Sequence, residues 1–310
     1  MILASVGNQV IVQAPAKVNL FLELLNRRTD GYHELETLMV AVTIFDTIVF
    51  TTTVKDHVRL TCSTSTGTRA LEVAMGAGAS LSGEVPVSGT NLVTRAVTRL
   101  RQAAGVSAGA DVHLIKRIPS AAGFGGASSD AASALLAANE AWQVQWSRAE
   151  LARIAADLGS DVPFFLGHGA AICRGRGELI EPLSVPSSLH VVVVRPPEGL
   201  STALVYQHCS VAAERAGVQP LVAALRQGDS GSVARHLFNR LEPAAARLTP
   251  WIARLRRVFG HLDCLGHQMS GSGTGYFGIC RHARHARRVA ARLRSEQVGY
   301  VRVATTFSKP

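Results

Sequence analysis

A glycine-rich segment between two regular stretches constrains this chain more than any other feature of its sequence. Residues 118–130 read I-P-S-A-A-G-F-G-G-A-S-S-D. The residues just before it, 111–118, predict a strand that Pro119 ends, and the small residues at 128–142 predict a helix. Glycines let the backbone adopt positive φ and approach an anion, while a helix N-terminus offers free N–H groups. The segment predicts a phosphate-binding loop, although a plain strand–helix connection also fits the pattern.

Two better-known nucleotide-binding loops do not match this segment. The chain contains no Gly-Lys pair, so it has no G-x-x-x-x-G-K-[ST] loop. A G-x-G-x-x-G dinucleotide fingerprint would need its third glycine at the position of Ser128. We expect the helix to open at Ser128 and Ser129, whose hydroxyls would cap it or contact phosphate and metal.

The arrangement of predicted strands and helices favours an α+β fold. Strands and helices are mixed without the regular β-α-β alternation of a doubly wound sheet. In the first half we predict strands at residues 10–13, 17–25, 41–53, 58–61 and 111–118, helices at 91–104, 128–142 and 148–158, and a loop with a short helix at 63–89. In the second half we predict strands from Leu189 and at 275–280 and 299–305, and helices at 201–209, 218–227, 232–240, 250–258 and 281–294.

Composition limits the partners and the compartment. The chain has 310 residues and a net charge of +10, which suits anionic partners such as nucleotides, phosphorylated metabolites, nucleic acid or membrane. The arginine-rich residues 281–294 are interpreted as an amphipathic helix with a solvated face, because no aromatic interleaving accompanies them. Five scattered cysteines without a C-x-x-C pair argue against a disulfide framework and a zinc site. No apolar run approaches the ~20 residues of a membrane helix, and we expect a cytoplasmic protein.

Three further segments, taken with the glycine-rich loop, resemble a known superfamily. They read P-A-K-V-N at residues 15–19, D-L-G-S-D-V-P-F at 157–164 and M-S-G-S-G-T-G-Y-F-G at 269–278. The set resembles the GHMP superfamily of galactokinase, homoserine kinase, mevalonate kinase and phosphomevalonate kinase. The segment D-G-Y-H-E-L-E-T-L at 30–38 resembles specifically the branch that phosphorylates a cytidine-diphosphate-linked methylerythritol. The resemblance covers most of the chain, in the same order.

The resemblance implies a two-domain fold and a reaction. The expected domains are an N-terminal kinase domain at residues 1–182, like domain 2 of ribosomal protein S5, and a ferredoxin-like C-terminal domain at 183–310. The expected reaction is ATP-dependent phosphorylation of the 2-position hydroxyl of that acceptor, in isoprenoid and terpenoid precursor biosynthesis. Mg²⁺ is expected to accompany ATP, but the sequence does not identify metal ligands. The expected assembly is a monomer or a homodimer.

By the same resemblance, ATP is expected along the whole glycine-rich loop. Related loops carry more glycine, so the methyl groups of the alanines here would narrow the phosphate cradle or change its flexibility. The residues expected to bind ATP are Pro119, Ser120, Ala121, Ala122, Gly123, Phe124, Gly125, Gly126, Ala127, Ser128 and Ser129.

Two charged residues fit the chemistry of phosphoryl transfer, which asks a protein mainly for positioning and charge stabilisation. Asp161 lies in the turn G-S-D-V-P and can accept the proton of the attacking hydroxyl, although aspartate also orders turns without any catalytic role. Lys17 lies in an apolar strand, where an unpaired ammonium is costly, so pairing with Asp161 is expected. An edge-strand lysine that reaches solvent is the alternative.

The remaining candidates concern the acceptor and the closure of the site. Asn19 lies two residues from Lys17 and shares its strand face, and by the resemblance it is expected to contact the substrate. Tyr32 is expected to stack on cytosine and His33 to hydrogen-bond its edge, with Tyr206 as a second stacking residue; a hairpin aromatic beside a capping histidine is the alternative. A second glycine-rich loop is expected to pack over the first and close the site: Ser270, Gly271, Ser272, Gly273 and Thr274.

Other functions remain possible at this level. The nearest is another GHMP kinase, of the mevalonate or homoserine type, against which the D-G-Y-H segment argues. The net charge would suit a nucleic-acid-binding protein, but we expect no specific nucleic acid and no membrane partner. The glycines would suit a dinucleotide-dependent oxidoreductase, which would need the complete fingerprint inside a clean β-α-β unit.

Overall fold

The structure, a computed structural model, describes residues 2–64, 89–167 and 169–308. The loop and short helix predicted at residues 63–89 therefore lie almost entirely outside the described residues. Within the described part of the chain, no helix is long and apolar enough to cross a membrane.

The first half is built on two long, paired strands. In the strand at residues 9–27, buried and half-buried side chains alternate at first, and both faces are buried after that. The predicted strands at residues 10–13 and 17–25 are one strand, because a register shift at Pro15 absorbs the missing proline N–H without ending the pairing. The elements are β1 (Ile2–Val6), β2 (Gln9–Arg27), β3 (His33–Thr53), β4 (Val58–Thr64), α1 (Leu92–Ala103), β5 (Gly109–Lys116), α2 (Gly126–Ala141), α3 (Arg148–Leu158), a 3-10 turn (Pro163–Leu166), β6 (Ala170–Gly175) and β7 (Leu179–Pro182).

The second half holds a smaller sheet and six short helices among the described residues. Its elements are β8 (His190–Arg195), α4 (Thr202–Gln207), α5 (Gln219–Gln227), α6 (Ser230–Arg235), β9 (Phe238–Asn239), α7 (Glu242–Leu248), α8 (Pro250–Gly260), β10 (Gly266–Met269), β11 (Tyr276–Cys280), α9 (Ala283–Ser295) and β12 (Tyr300–Thr305).

Strand pairing divides the described residues between two sheets. The larger sheet has the order β1-β2-β3-β5-β4, with β6 and β7 attached to the first part of β3 and β9 attached to β2. The smaller sheet is antiparallel, with the order β10-β11-β8-β12. The mixed arrangement confirms the predicted α+β class. All of the larger sheet except β9 precedes residue 183, and we keep the boundary between residues 182 and 183 as a proposal.

Helices α1, α2 and α3 cover one face of the larger sheet and bury its main core. The buried alanines of α2 let it pack closely, as in Ala131, Ala134 and Ala138, each at 0% exposure. The predicted start of α1 is confirmed, since the Asn91 side chain accepts from the Val93 N–H at 2.8 Å. A capping box at Ser147 likewise begins α3 at the predicted residue.

Two details of the predicted helices are wrong. Helix α2 begins at Gly126, after Gly125 with φ +71°, and neither serine caps it through its side chain. The helix predicted at residues 232–240 ends at Arg235, because Phe238 and Asn239 pair in parallel with Phe21 and Leu22 of β2. This short strand ties the second half of the chain to the larger sheet.

Candidate active site

A single large cleft gathers most of the residues that the sequence singled out. It has a volume of about 1480 Å³ and lies along β2, the glycine-rich loop, the β6–β7 turn and helix α4. The predicted residues that line it are Lys17, Asn19, Tyr32, His33, Pro119, Ser120, Ala121, Ala122, Gly123, Phe124, Gly125, Gly126, Ala127, Ser128, Asp161, Tyr206, Gly271 and Ser272.

The glycine-rich loop forms a narrow cradle at one end of this cleft. Gly123 and Gly125 have φ of +67° and +71°, a region that favours glycine. A Cβ added to Gly123 would lie 2.1 Å from the Ser270 carbonyl oxygen, and one added to Gly125 would lie 3.0 Å from Lys17 Cγ. The loop is fixed to β2 because the Lys17 N–H donates to the Phe124 carbonyl at 2.9 Å. The free N–H groups at the start of α2 therefore face a space suited to an anion.

Lys17 and Asp161 face each other at the centre of the cleft. Lys17 Nζ lies 3.5 Å from Asp161 Oδ2, with side-chain exposures of 4% and 36% respectively. The ammonium of Lys17 is therefore almost completely buried, while the carboxylate of Asp161 is exposed to the cleft. Asp161 follows α3 in a tight turn, in which the Val162 N–H donates to the Gly159 carbonyl at 3.1 Å. This geometry presents a carboxylate to an incoming hydroxyl with a cation beside it.

Asn19 fixes the position of the lysine head group. Lys17 Nζ donates to Asn19 Oδ1 at 2.6 Å. The other end of the amide donates to Thr37 Oγ1 at 2.9 Å, and Thr37 donates to the Phe21 carbonyl at 2.6 Å. Asn19 therefore holds the ammonium in one place, and it also lines the cleft.

An aromatic pocket lies at the other end of the cleft. Tyr32 is 56% exposed, and the rings of His33 and Tyr206 lie 5.5 Å apart between centroids. Partial burial, with added repulsion from Arg27, lowers the pKa of His33 below its ordinary value of 6.5. The ring is therefore neutral near pH 7, with one nitrogen as donor and the other as acceptor.

The second glycine-rich loop packs against the first, as the sequence predicted. Ser270 Oγ donates to the Gly123 carbonyl at 3.1 Å, and the Gly275 N–H donates to the Ala122 carbonyl at 3.1 Å. A Cβ added to Gly271 would lie 3.3 Å from Lys17 Nζ, so this loop covers the lysine. Only Gly271 and Ser272 of the predicted five line the cleft; the other three support them from behind: Ser270, Gly273 and Thr274.

Ser129 is placed differently from the expectation. Its side chain is fully buried, it does not line the cleft, and its hydroxyl has no hydrogen-bond partner among the described residues. The helix begins three residues earlier than Ser129, so its side chain turns into the core rather than toward the loop. Ser128, one residue before it, remains at the cleft wall.

A buried charged cluster beside the loop was missed by the sequence analysis. Lys116 Nζ donates to Asp130 Oδ2 at 2.7 Å and also to Asp46 Oδ2, while Asp46 Oδ1 accepts the Ile118 N–H at 2.8 Å. Lys116 lines the cleft, and a Cβ added to Gly126 would lie 3.2 Å from its Nζ. The one sequence signal that could have indicated this cluster was Asp46, the single charged residue in the β-branched run at residues 41–53.

Burial and charge sharing set the ionisation of this cluster. Burial is the largest cause that raises the pKa of Asp130, to about 8. Lys116 opposes the rise, and the neighbouring Asp46 adds to it, because both carboxylates share one ammonium. Near pH 7 the Asp130 carboxyl is therefore largely protonated beside the lysine.

Comparisons with known proteins agree with this geometry. Residues 91–169 match the family described as the GHMP kinases N terminal domain, and residues 221–298 match GHMP kinases C terminal. A 4-diphosphocytidyl-2-C-methyl-D-erythritol kinase of Pelotomaculum thermopropionicum is 41% identical over 91% of this chain and 92% of its own length. One of Shouchella clausii, with the same name, is 36% identical over 95% of this chain and 94% of its own.

Similarity extends to solved structures. A crystal structure of 4-(cytidine 5'-diphospho)-2C-methyl-D-erythritol kinase is 34% identical in sequence, with a TM-score of 0.77. The alignment covers 96% of this chain and 100% of that one. The alignment therefore includes both sheets and both glycine-rich loops.

Proposed function

The chain belongs to the GHMP kinase family, and on that premise we propose that it transfers the γ-phosphate of ATP to the 2-hydroxyl of 4-diphosphocytidyl-2-C-methyl-D-erythritol, giving ADP and the 2-phosphate. The observation that carries the proposal is one cleft that joins a phosphate cradle, the Lys17–Asp161 pair and an aromatic pocket. We place the reaction in non-mevalonate isoprenoid precursor biosynthesis and in the cytoplasm.

The central pair supplies the proton acceptor and the cation. Asp161 would accept the proton of the attacking hydroxyl, because its carboxylate opens into the cleft next to the loop. Lys17 would hold that carboxylate in place and stabilise the negative charge that grows on the hydroxyl oxygen. Asn19 keeps the ammonium aimed at both, through its 2.6 Å hydrogen bond. Each residue here acts by positioning and charge, which is what phosphoryl transfer requires.

The cradle fits the phosphates of ATP, which supplies the transferred phosphoryl group. Gly123 and Gly125 have no room for a Cβ against Ser270 and Phe165, so only glycine lets the loop pack this closely while its backbone lines the cleft where an anion can approach. Lys116, beside Gly126, adds a cation near the same phosphates, and the apolar side chains of Leu92 and Leu114 line the adjoining wall, where the purine would lie.

Mg²⁺ would enter with these phosphates rather than occupy a preformed protein site. The described residues contain no cluster of three His, Cys, Asp or Glu side chains that could hold a metal ion. Magnesium commonly binds through substrate phosphates, waters and one or two protein oxygens. Side-chain oxygens that line the cleft near the cradle include those of Ser120, Ser128, Asp130 and Asp161.

The aromatic pocket would hold the cytosine of the acceptor. Tyr32 offers an exposed ring for stacking, and the neutral ring of His33 can donate to one edge atom of the base while it accepts from another. Mevalonate and homoserine have no base, so such a pocket would have no purpose in a kinase specific for either. This feature favours the cytidine-linked acceptor over the acceptors of other GHMP kinases.

Phosphorus NMR of the reaction product tests the proposal directly. The 2-carbon of the acceptor bears a methyl group and no hydrogen, so a phosphate ester at that position shows no three-bond coupling to a carbinol proton. We expect ATP and the cytidine-linked acceptor to give ADP and one new, uncoupled phosphomonoester signal. A proton-coupled signal would place the phosphate on another hydroxyl, and no new signal would refute the reaction.

A further inference from the structure

We propose that Arg176 binds the diphosphate bridge of the acceptor, between the aromatic pocket and the Lys17–Asp161 pair. This inference rests on the proposed function, since only a nucleoside-diphosphate-linked acceptor places two phosphates between its base and its reacting hydroxyl. No motif that identified the family includes Arg176. It lines the cleft from the turn that joins β6 to β7.

The position of Arg176 is fixed by its own turn. Gly175 and Gly177 on either side of it have φ of +73° and +120°, and the Gly177 N–H donates to the Arg174 carbonyl at 3.0 Å. The backbone N–H of Arg176 donates to Glu178 Oε2 at 2.6 Å. The tight turn therefore holds the backbone at the edge of the cleft, while the long side chain extends from a defined point.

Arg176 lies between the two ends that an extended acceptor must span. On one side, its Cζ lies 5.2 Å from the centroid of the Tyr32 ring. On the other side, the next residue is close to the catalytic carboxylate, since a Cβ added to Gly177 would lie 3.7 Å from Asp161 Oδ1. A ligand with its base at Tyr32 and its hydroxyl at Asp161 would therefore pass the Arg176 side chain.

The guanidinium of Arg176 is only weakly paired with carboxylates of the protein. Its ion pair with Glu178 spans 3.7 Å from Nε to Oε1, which is beyond hydrogen-bond distance, Asp30 interacts with its charge from farther away, and its side chain is 34% exposed. Arg174, two residues earlier, is by contrast hydrogen-bonded to Glu36 at 2.9 Å and to Glu181 at 2.6 Å. Only Arg176 of these two can offer its planar fork of donors to phosphate oxygens.

Arg27 also lines the cleft, but the present geometry favours Arg176 for the bridge. Arg27 is linked to the base end, where its charge acts on His33. Arg176 contacts the base end through Tyr32 and adjoins the catalytic end through Gly177. The simpler alternative is that Arg176 only holds the Tyr32 ring by its cation–π contact.

Inhibition by cytidine, CMP and CDP separates these two roles. Each is measured as a competitor of the acceptor at saturating ATP, with wild type, Arg176→Ala, Arg176→Lys and the matched control Arg174→Ala. We expect Arg176→Ala to weaken CDP roughly tenfold, the usual worth of a charge-assisted hydrogen bond, and to change cytidine less than about twofold. CMP should lie between them, Arg176→Lys should recover part of the loss, and Arg174→Ala should match wild type.

Different failures have different meanings. An equal loss for cytidine and CDP in Arg176→Ala would show that Arg176 only supports Tyr32, and would overturn the inference. Wild type that binds CDP no more tightly than cytidine would overturn it as well. If wild type is not inhibited by cytidine, CMP or CDP in competition with the acceptor, the proposed function itself fails, and the inference fails with it.

Discussion

At the scale of single residues, the strand period of β2 places Lys17, the proposed catalytic lysine. Lys17 and Asn19 are two residues apart and share a strand face, as their 2.6 Å hydrogen bond requires. Their meeting with Asp161, more than a hundred residues later in the chain, was expected only because an ammonium in an apolar strand needs a partner. Arg176 and Lys116 escaped prediction because neither belongs to a motif that identified the family; their roles depend on tertiary neighbours.

Asp161→Asn tests the proton acceptor. The amide keeps the size of the side chain but removes its basicity and its charge beside Lys17. We expect kcat to fall on the order of 10²–10⁴-fold, with the melting temperature nearly unchanged. Asp157→Asn is the matched control, since Asp157 is 65% exposed and its 2.9 Å pair with Arg99 is a surface ion pair. Retention of half the wild-type kcat by Asp161→Asn would remove Asp161 from the chemistry.

His33→Ala tests recognition of the base. A neutral His33 can match the donor and acceptor pattern of cytosine, which uracil reverses at both N3 and the 4-position. In wild type, we expect kcat/KM to fall when the cytidine of the acceptor is replaced by uridine. In His33→Ala, the two acceptors should differ much less, while the KM for ATP stays unchanged. Equal discrimination by both enzymes would contradict the role of His33.

At the scale of elements, long patterned segments were predictable and short ones were not. Helix α3 begins and ends at the predicted residues, and a capping box at Ser147 fixes its start. Strand β9 has only two residues, and its pairing with β2 comes from a distant part of the chain, so local propensity read it as helix. Helix α7 was missed because it is short, only two residues separate its start from the end of this strand, and its buried side chains are the small ones of Ala244 and Ala245.

Gly123→Ala tests the phosphate cradle as an element. A Cβ at this position would lie 2.1 Å from the Ser270 carbonyl, so the two glycine-rich loops must separate. We expect the KM for ATP to rise at least about tenfold, in addition to about 1–2 kcal/mol of lost stability from positive φ. Gly105→Ala is the matched control, because its φ of +66° carries the same strain with nothing within 4 Å. Equal KM values in the two variants would refute the cradle.

Asp130→Asn tests the buried charged cluster through the pH dependence of stability. The folded protein keeps the Asp130 proton up to about pH 8, whereas the unfolded chain loses it near the ordinary pKa of 3.8. Raising the pH from about 4 to about 8 therefore favours the unfolded wild type, and the amide removes that dependence. We expect the free energy of unfolding of the variant to rise relative to that of wild type across this range. Above this range, the free energies of the two proteins should change with pH in the same way.

The control for this experiment is again Asp157→Asn, whose exposed carboxylate should give a flat difference from wild type. Chemical unfolding at several pH values measures all three proteins. A difference between Asp130→Asn and wild type that stays constant from pH 4 to pH 8 would show that Asp130 is ionised in the folded protein across that range.

At the scale of the whole molecule, the cleft lies where the two sheets meet. Strand β9 pairs with β2, and Gln268 of the smaller sheet donates to the Asn19 carbonyl at 2.8 Å. These contacts join the second glycine-rich loop to β2, the strand that carries Lys17. The sequence predicted the fold class and most cleft residues because the family motifs, although separate in sequence, contribute to one site. It did not predict how the sheets join, since that depends on buried side chains with no local pattern.

The distribution of the net charge of +10 agrees with the interpretation of residues 281–294 as a helix with a solvated face. Helix α9 buries Ala286, Val289 and Leu293 and exposes its arginines. Asp263 accepts from Arg288 at 2.9 Å and contacts His285 Nε2 at 2.8 Å, which partly neutralises this surface. The positive charge that matters for the proposed reaction lies in the cleft, where phosphate groups would enter.

The central claim, that this kinase acts on a cytidine-diphosphate-linked acceptor, is tested most directly by coupled ADP release. Wild type is assayed with 4-diphosphocytidyl-2-C-methyl-D-erythritol, mevalonate, homoserine and galactose at saturating ATP. Because the pocket would recognise a base that the other three lack, we predict a kcat/KM for the cytidine-linked acceptor at least about 10³-fold above each of them. A comparable or higher kcat/KM for mevalonate, homoserine or galactose would contradict the account.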